Sequence, residues 1–137
     1  QLDVDMVKAY DQALEKIAWE DVRNNLAKFR DDHRQHVSDL NQHIRDLGGE
    51  VVKETPDLRG LLLEGFTALR SVTGTEGALN AMLTTEKITK KTYEEALKEK
   101  DLPIEVQSLL IKNCNDEKRQ LAYIEQELTQ KSWSAYF

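Results

Sequence analysis

Carboxylate, imidazole and amide side chains interrupt four otherwise apolar helical faces in this chain. Residues three or four apart share one face of a helix, and each of the four apolar repeats is broken once by polar residues. The interrupting residues are Asp3 on the first face, His33 and His36 on the second, Glu86 on the third, and Glu117 and Gln120 on the fourth. Buried side chains of these types can bind a metal ion. The pattern therefore predicts a polar site inside a helical core.

Helix lengths predict that these residues meet at one height. About 16 residues separate Asp3 from an expected turn at 18–20, and about as many separate that turn from His33, which is roughly 24 Å each way at 1.5 Å per residue. Glu86 and Glu117 lie at matching distances on either side of a second expected turn near Pro103. Two antiparallel hairpins would bring all of the polar residues into one plane.

An internal repeat relates the two hairpins. The segment KAYDQALEK matches KTYEEALKE later in the chain, which aligns Tyr10 with Tyr93 and Asp3 with Glu86. One added residue in the second turn continues the alignment, which pairs Asp32 with Asp116, His33 with Glu117, and His36 with Gln120. The alignment favours a duplicated hairpin, although two amphipathic helices can also resemble each other by chance.

In these features the chain resembles the ferritin-like superfamily, whose di-iron members carry one Glu on each of two helices and a Glu-x-x-His pair on each of the others. Asp3 and Glu86 correspond to the lone glutamates, and His33 with His36 and Glu117 with Gln120 correspond to the pairs. The chain looks most like small bacterial bundles whose second helix ends in a Leu-Gly-Gly-Glu turn, as residues 47–50 do. The resemblance implies an all-α, ferritin-like four-helix bundle of two repeated antiparallel hairpins, joined by a long crossover that contains a short helix.

The metal positions depart from the di-iron pattern. His33 stands where a bridging glutamate is expected, and a neutral imidazole offers a single lone pair, so it cannot bridge two ions. Gln120 replaces a histidine, and its amide oxygen suits hard cations better than iron or zinc. The best-formed set for one Zn, Fe or Mn ion comprises Asp3, His33, His36 and Glu117. Glu86 is then either a further ligand or an outer partner, meaning a residue that contacts the ligands without binding the ion.

A metal-free alternative explains the same residues. Two protonated histidines could neutralise two of the three carboxylates, with Gln120 and the hydroxyls of Tyr10 and Tyr93 completing the hydrogen bonds. Beside a metal, the same two tyrosines would be outer partners. Asp3 also has an alternative role, because an aspartate near the start of a helix is typical of an N-cap. At this stage a metal site and a metal-free polar core are equally open.

Two kinds of function follow from the resemblance. One is metal binding, extending to oxidase-like chemistry with dioxygen or peroxide, at a modified or degenerate di-iron site. The other is a non-catalytic helical stress or interaction protein that has kept the fold and lost the metal. The missing bridging carboxylate argues against iron storage. No residue is assigned a catalytic role, and whether the chain is an enzyme stays open.

Composition and charge argue against other classes. The net charge of −6 disfavours nucleic acid as a partner, because phosphate binding needs a basic surface. A chain of 137 residues with 32% charged residues and a mean hydropathy of −0.62 fits one soluble domain without a membrane span. One cysteine excludes an intrachain disulfide, and no signal-peptide pattern is visible, so we expect a cytoplasmic location.

Glycine and proline residues divide the chain into four parts. We expect a first hairpin at about 2–48, a crossover at about 49–75, a second hairpin at about 76–131 and an aromatic tail at 132–137. Within the crossover, Pro56 is expected to open a short helix that ends near Val72. A long crossover is needed if the second and third long helices run parallel. The tail carries Trp133, Tyr136 and Phe137, which leaves docking on the bundle, a homo-oligomer contact or an unordered end as alternatives; no protein partner can be named.

Overall fold

The computed structural model describes residues 2–46 and 74–131, which form four helices. Helix α1 spans Leu2–Lys16, α2 spans Glu20–Asp46, α3 spans Gly74–Ala96 and α4 spans Ile104–Gln130. The predicted all-α four-helix bundle is confirmed for these residues, with turns at 17–19 and 97–103. The predicted crossover helix, the Leu-Gly-Gly-Glu turn and the aromatic tail lie outside the described residues.

The helices form two hairpins that pack side by side. Helix α1 packs on α2 and α3 packs on α4, while contacts from α1 to α3 and from α2 to α4 close the ring. Tyr10 contacts Glu86 and Tyr93 contacts Asp3, so α1 and α3 run antiparallel. The contacts between α2 and α4 are antiparallel as well: His36 with Asp116, His33 with Gln120, and Asn25 with Tyr123. Helices α2 and α3 are therefore parallel, as the long connection between them predicted.

Local sequence explains where the helices of the second hairpin begin and end. Gly74 opens α3 with a φ of +78°, a conformation that glycine adopts without steric cost. Pro103 precedes α4, where its missing N–H group would have had no helical partner. Lys131 ends α4 in the left-handed conformation, and its N–H donates to the Glu127 carbonyl at 2.7 Å. These limits place Glu86 and Glu117 at comparable distances from the turn that joins α3 to α4.

Two apolar clusters lie on either side of the polar residues. The larger cluster draws on all four helices and includes Met6, Leu14, Ile17, Val22, Leu26, Phe29, Leu79, Met82 and Ile124. The smaller cluster lies towards the turn between α3 and α4 and consists of Tyr93, Leu110 and Cys114 with Leu40, Leu97, Leu102 and Val106 packed against them. The polar residues between the two clusters are thus removed from water. Among the four helices, none combines the length and apolarity that crossing a bilayer requires.

Candidate metal centre

All six polar residues predicted from the sequence meet in the core. Helix α1 supplies Asp3, α2 supplies His33 and His36, α3 supplies Glu86, and α4 supplies Glu117 and Gln120. Asp3 is 4% exposed and the other five are fully buried. Asp3 lies within α1, after Leu2, and its buried carboxylate contacts His33 and Tyr93, so it belongs to the core and does not act as an N-cap. The six residues that interrupt the apolar faces in the sequence therefore lie together in the core of the structure.

Four of these side chains point their donor atoms at a common space. One ligand atom from each of Asp3, His33, His36 and Glu117 can be chosen so that all four lie within 4.8 Å of one another. Nδ1 of His33 lies 2.7 Å from Asp3 Oδ1 and 3.4 Å from Glu117 Oε1. Nδ1 of His36 lies 3.0 Å and 3.7 Å from the same two oxygens. Ligand atoms bound tetrahedrally at about 2.1 Å from an ion lie roughly 3.4 Å apart, so the cluster needs little adjustment to hold one.

The opposite ring nitrogens of the two histidines face hydrogen-bond acceptors. Nε2 of His33 lies 3.2 Å from Glu86 Oε1 and 3.0 Å from Gln120 Oε1. Nε2 of His36 lies 2.9 Å from Asp116 Oδ2. A histidine that binds a metal through one nitrogen usually donates its other N–H to a carboxylate or carbonyl, which fixes its orientation. Both imidazoles meet this condition with Nδ1 directed at Asp3 and Glu117.

Glu117 is the least satisfied residue of the cluster. As an ionised carboxylate, Glu117 would find no hydrogen-bond donor at either oxygen among the described residues, and Oε2 of Glu86 faces none either. Burial raises the pKa of Glu117 well above its usual range, and the nearby charge of Glu86 raises it further. Burial opposes ionisation of Glu86 too, but hydrogen bonds with Glu117 and His33 lower its pKa. In the absence of a metal ion, Glu117 is therefore the carboxyl group that holds a proton, and it donates that proton to Glu86.

Asp3 and His33 form the shortest ion pair of the cluster, at 2.7 Å between Oδ1 and Nδ1. Burial alone would raise the pKa of Asp3, but hydrogen bonds from His33 and His36 hold it well below its usual range. Burial alone would lower the pKa of His33, but hydrogen bonds to Asp3 and Glu86 raise it to about 9. Without a metal ion, His33 is thus an imidazolium that bridges two carboxylates at neutral pH.

Two buried tyrosines complete the carboxylate contacts. The Tyr93 hydroxyl donates to Asp3 Oδ2 at 2.6 Å and accepts from Asn113 Nδ2 at 3.3 Å. The Tyr10 hydroxyl donates to Glu86 Oε1. Burial raises the pKa of both hydroxyls, and the adjacent carboxylates raise it further. Both tyrosines therefore stay protonated and act as hydrogen-bond donors to the cluster.

Replacing Tyr93 with phenylalanine should destabilise the metal-free protein by roughly 1.5–3 kcal/mol, because a hydrogen bond to a buried carboxylate is lost without a substitute. Urea denaturation measures the change in unfolding free energy. Tyr123→Phe is the matched control, since the Tyr123 hydroxyl is only partly buried and contacts an amide, Asn25 Nδ2 at 3.1 Å. Equal losses in the two variants would contradict a special role for the Tyr93 hydroxyl.

Sequence reasoning missed two residues that contact the cluster from outside. Asp116 accepts from His36, and Asp32 Oδ2 accepts from Gln120 Nε2 at 3.1 Å. Both side chains are partly exposed, so neither interrupts an apolar face. The repeat did contain the signal, since it aligns Asp32 with Asp116 and places each one residue before a cluster residue.

The contacts of the cluster are reciprocal between the two hairpins. Tyr10 of the first hairpin contacts Glu86 of the second, and the aligned residue Tyr93 contacts Asp3 of the first. Likewise, Asp116 of the second hairpin contacts His36 of the first, and the aligned pair is Asp32 with Gln120. A two-fold relation between aligned hairpins produces this exchange of partners, which favours duplication over chance similarity.

The described helices define a four-helix bundle with a buried cluster of Asp, His, His and Glu that could hold a metal ion. The chain belongs to the family described as Domain of unknown function (DUF2383), whose model matches residues 1–99. No curated protein and no solved structure matches it. The matched residues include Asp3, His33, His36 and Glu86, whereas Glu117 and Gln120 lie beyond them on α4.

Proposed function

We propose that this chain is a ferritin-like bundle protein that binds one divalent metal ion at a modified di-iron site, through Asp3, His33, His36 and Glu117. The observation that carries the proposal is the set of four nitrogen–oxygen separations, from 2.7 to 3.7 Å, between the two Nδ1 atoms and the two carboxylates. They bracket the roughly 3.4 Å expected around a tetrahedral ion. The ionised carboxylate of Glu117 faces no hydrogen-bond donor among the described residues, which supports a bound cation as its partner.

Charge and donor type fit zinc, iron or manganese. Two imidazole nitrogens and two carboxylate oxygens form a mixed set that suits these ions, and two carboxylates would neutralise a divalent charge in a core that excludes water. A redox-active ion such as iron would supply the site with one-electron chemistry towards dioxygen or peroxide. The chain's own residues supply the binding, the orientation and the exclusion of water.

Glu86 and Gln120 act in this proposal as outer partners. Both face Nε2 of His33, and Glu86 Oε1 also accepts from Tyr10. Their part is to hold the His33 ring with Nδ1 towards Asp3 and Glu117. To bind an ion, His33 must release the Nδ1 proton that it otherwise shares with Asp3, so binding is expected to release protons.

Elemental analysis of the protein, purified without chelators or metal-affinity columns, tests the proposal. We expect about one metal ion per chain in the wild type and none in a variant that carries His33→Ala and His36→Ala. His43→Ala is the matched control, because His43 lies on the same helix and its Nδ1 contacts the Asp39 carbonyl at 2.9 Å, away from the cluster. Adding Zn(II), Mn(II) or Fe(II) should raise the unfolding free energy of wild type and control, by about 2.7 kcal/mol at a hundred times the Kd.

Absence of metal from all three proteins, followed by no thermal shift on reconstitution with any of the three ions, would rule out the proposal. The metal-free polar core would then be the functional state, and the chain would act as a non-catalytic helical stress or interaction protein. Equal metal content in the wild type and the double variant would show that the ion binds elsewhere.

A further inference from the structure

One surface arginine contacts two carboxylates that lead into the buried cluster. Arg119 on α4 lies 3.0 Å from Asp32 Oδ2 and 3.3 Å from Asp116 Oδ1 through Nη2, and its side chain is 57% exposed. Asp32 belongs to α2 and Asp116 to α4, so the guanidinium links the two helices at the surface. A guanidinium can hold two carboxylates at once because its donors form a rigid planar fork.

Two chains of contacts lead inward from Arg119, and the one through Asp116 ends at His36. Oδ1 of Asp116 is held by Arg119, and Oδ2 accepts from His36 Nε2 at 2.9 Å. Lys112 lies 3.5 Å from the same Oδ2. Because Asp116 can only accept, it keeps a proton on Nε2 of His36 and directs the Nδ1 edge of the ring towards Asp3.

The other chain of contacts runs from Arg119 through Asp32 and the Gln120 amide to His33. Asp32 Oδ2 accepts from Gln120 Nε2 at 3.1 Å, and this contact fixes which end of the amide faces inward. Gln120 Oε1 then lies 3.0 Å from His33 Nε2. The amide therefore presents an acceptor to the ring, which favours a proton on Nε2 and leaves Nδ1 towards Asp3 and Glu117.

We propose that Arg119 is a positioning residue that sets the orientation of both buried imidazoles, through Asp116 to His36 and through Asp32 and Gln120 to His33. The inference rests on the proposed function only for its effect on a bound metal ion. The orientation of the rings is a property of the metal-free protein and can be measured without metal. A group on the surface thus determines which nitrogen each buried histidine presents to the site.

The branched arrangement predicts a specific pattern among variants. Asp116→Ala should change the environment of the His36 ring only, and Asp32→Ala should change that of the His33 ring only. Arg119→Met should change both, because it removes the charge and every N–H donor while it keeps an unbranched apolar stem at the position. Arg34→Met is the matched control: Arg34 is 54% exposed and pairs with Asp31 at 3.2 Å, but neither residue contacts the cluster.

The measurement is the ¹⁵N chemical shift of each imidazole nitrogen in the metal-free protein, which reports the protonation and the hydrogen bonding of Nδ1 and of Nε2. We expect both rings to shift in Arg119→Met, one ring in each aspartate variant, and neither in Arg34→Met. Unchanged rings in Arg119→Met, or equal changes of both rings in every variant, would overturn the inference. The second outcome would indicate general loosening of the bundle.

Metal affinity provides a second readout. Arg119→Met should bind zinc about 10 to 100 times more weakly than the wild type or Arg34→Met, the usual effect of losing partners that orient metal-binding histidines. Equal affinities in all three proteins would contradict the inference. A wild type that takes up no zinc, manganese or iron would refute the proposed function instead, and the imidazole shifts would still decide the role of Arg119.

Discussion

Replacing Glu117 with glutamine should change the unfolding free energy of the metal-free protein by less than about 1 kcal/mol. Glu117 holds a proton in the metal-free protein, because burial and the nearby charge of Glu86 raise its pKa. An amide has nearly the same shape as the protonated carboxyl group, is also uncharged, and can donate to Glu86 as that group does. The substitution should therefore leave the metal-free core intact.

The same substitution should abolish the stabilisation by metal. An amide oxygen is neutral and a poorer ligand than carboxylate for zinc or iron, so the thermal shift on adding Zn(II) should disappear. Thermal unfolding with and without Zn(II) measures both effects. Glu125→Gln on the exposed side of α4 is the matched control, which should behave like the wild type in both states. A Glu117→Gln variant that is less stable than the wild type without metal would show that the carboxyl group serves the fold.

The metal-free protein should lose stability as the pH rises from about 6.5 to about 9. The pKa of His33 is raised from 6.5 to about 9 on folding, so the folded state holds this proton more tightly than the unfolded state. The resulting stabilisation is complete below pH 6.5 and is lost as the pH passes through 9, up to roughly 3 kcal/mol. The raised pKa of Glu117 acts in the same direction. Urea denaturation at several pH values measures the loss.

Zinc affinity should change in the opposite direction over the same range. Protons and the metal ion compete for Nδ1 of His33, so affinity should rise with pH. His43→Gln is the control for the stability measurement and should keep the wild-type pH dependence, because His43 contacts a backbone carbonyl outside the cluster. Metal-free stability that rises from pH 6.5 to 9 would contradict the account of His33 as a bridging imidazolium.

The helices and the residues of the cluster could be predicted from the sequence because one periodicity constrains both. Any polar residue on an apolar face of period 3.6 must enter the core. Equal distances from a shared turn bring Asp3 level with His33 and Glu86 level with Glu117. The role of Asp3 could not be decided in this way. Its position in the sequence suits an N-cap and a core ligand equally, and only its packing against α2 and α3 distinguishes them.

The outer contacts could not be predicted from periodicity, because they depend on rotamers at the boundary between two helices; the internal repeat alone marked Asp32 and Asp116. Asp32 and Asp116 lie at the edge of their apolar faces, where a side chain can point to solvent or to the neighbouring helix. Periodicity also says nothing about which nitrogen of His36 faces inward, since both edges of the ring are compatible with the same position on α2. The contact with Asp116 decides this.

The exchange of partners between the hairpins has a consequence for how the bundle folds. Apolar side chains alone would tolerate a shift of α1 along α3 by one turn, about 5.4 Å, because another apolar residue would fill each vacated place. Such a slip would break the contact from Tyr10 to Glu86 and that from Tyr93 to Asp3 together, and it would leave two buried tyrosine hydroxyls without the carboxylates to which they donate. The polar cluster therefore fixes the register of α1 against α3. Hydrophobic packing alone would accept several ways of docking the two hairpins, and the polar contacts select one of them.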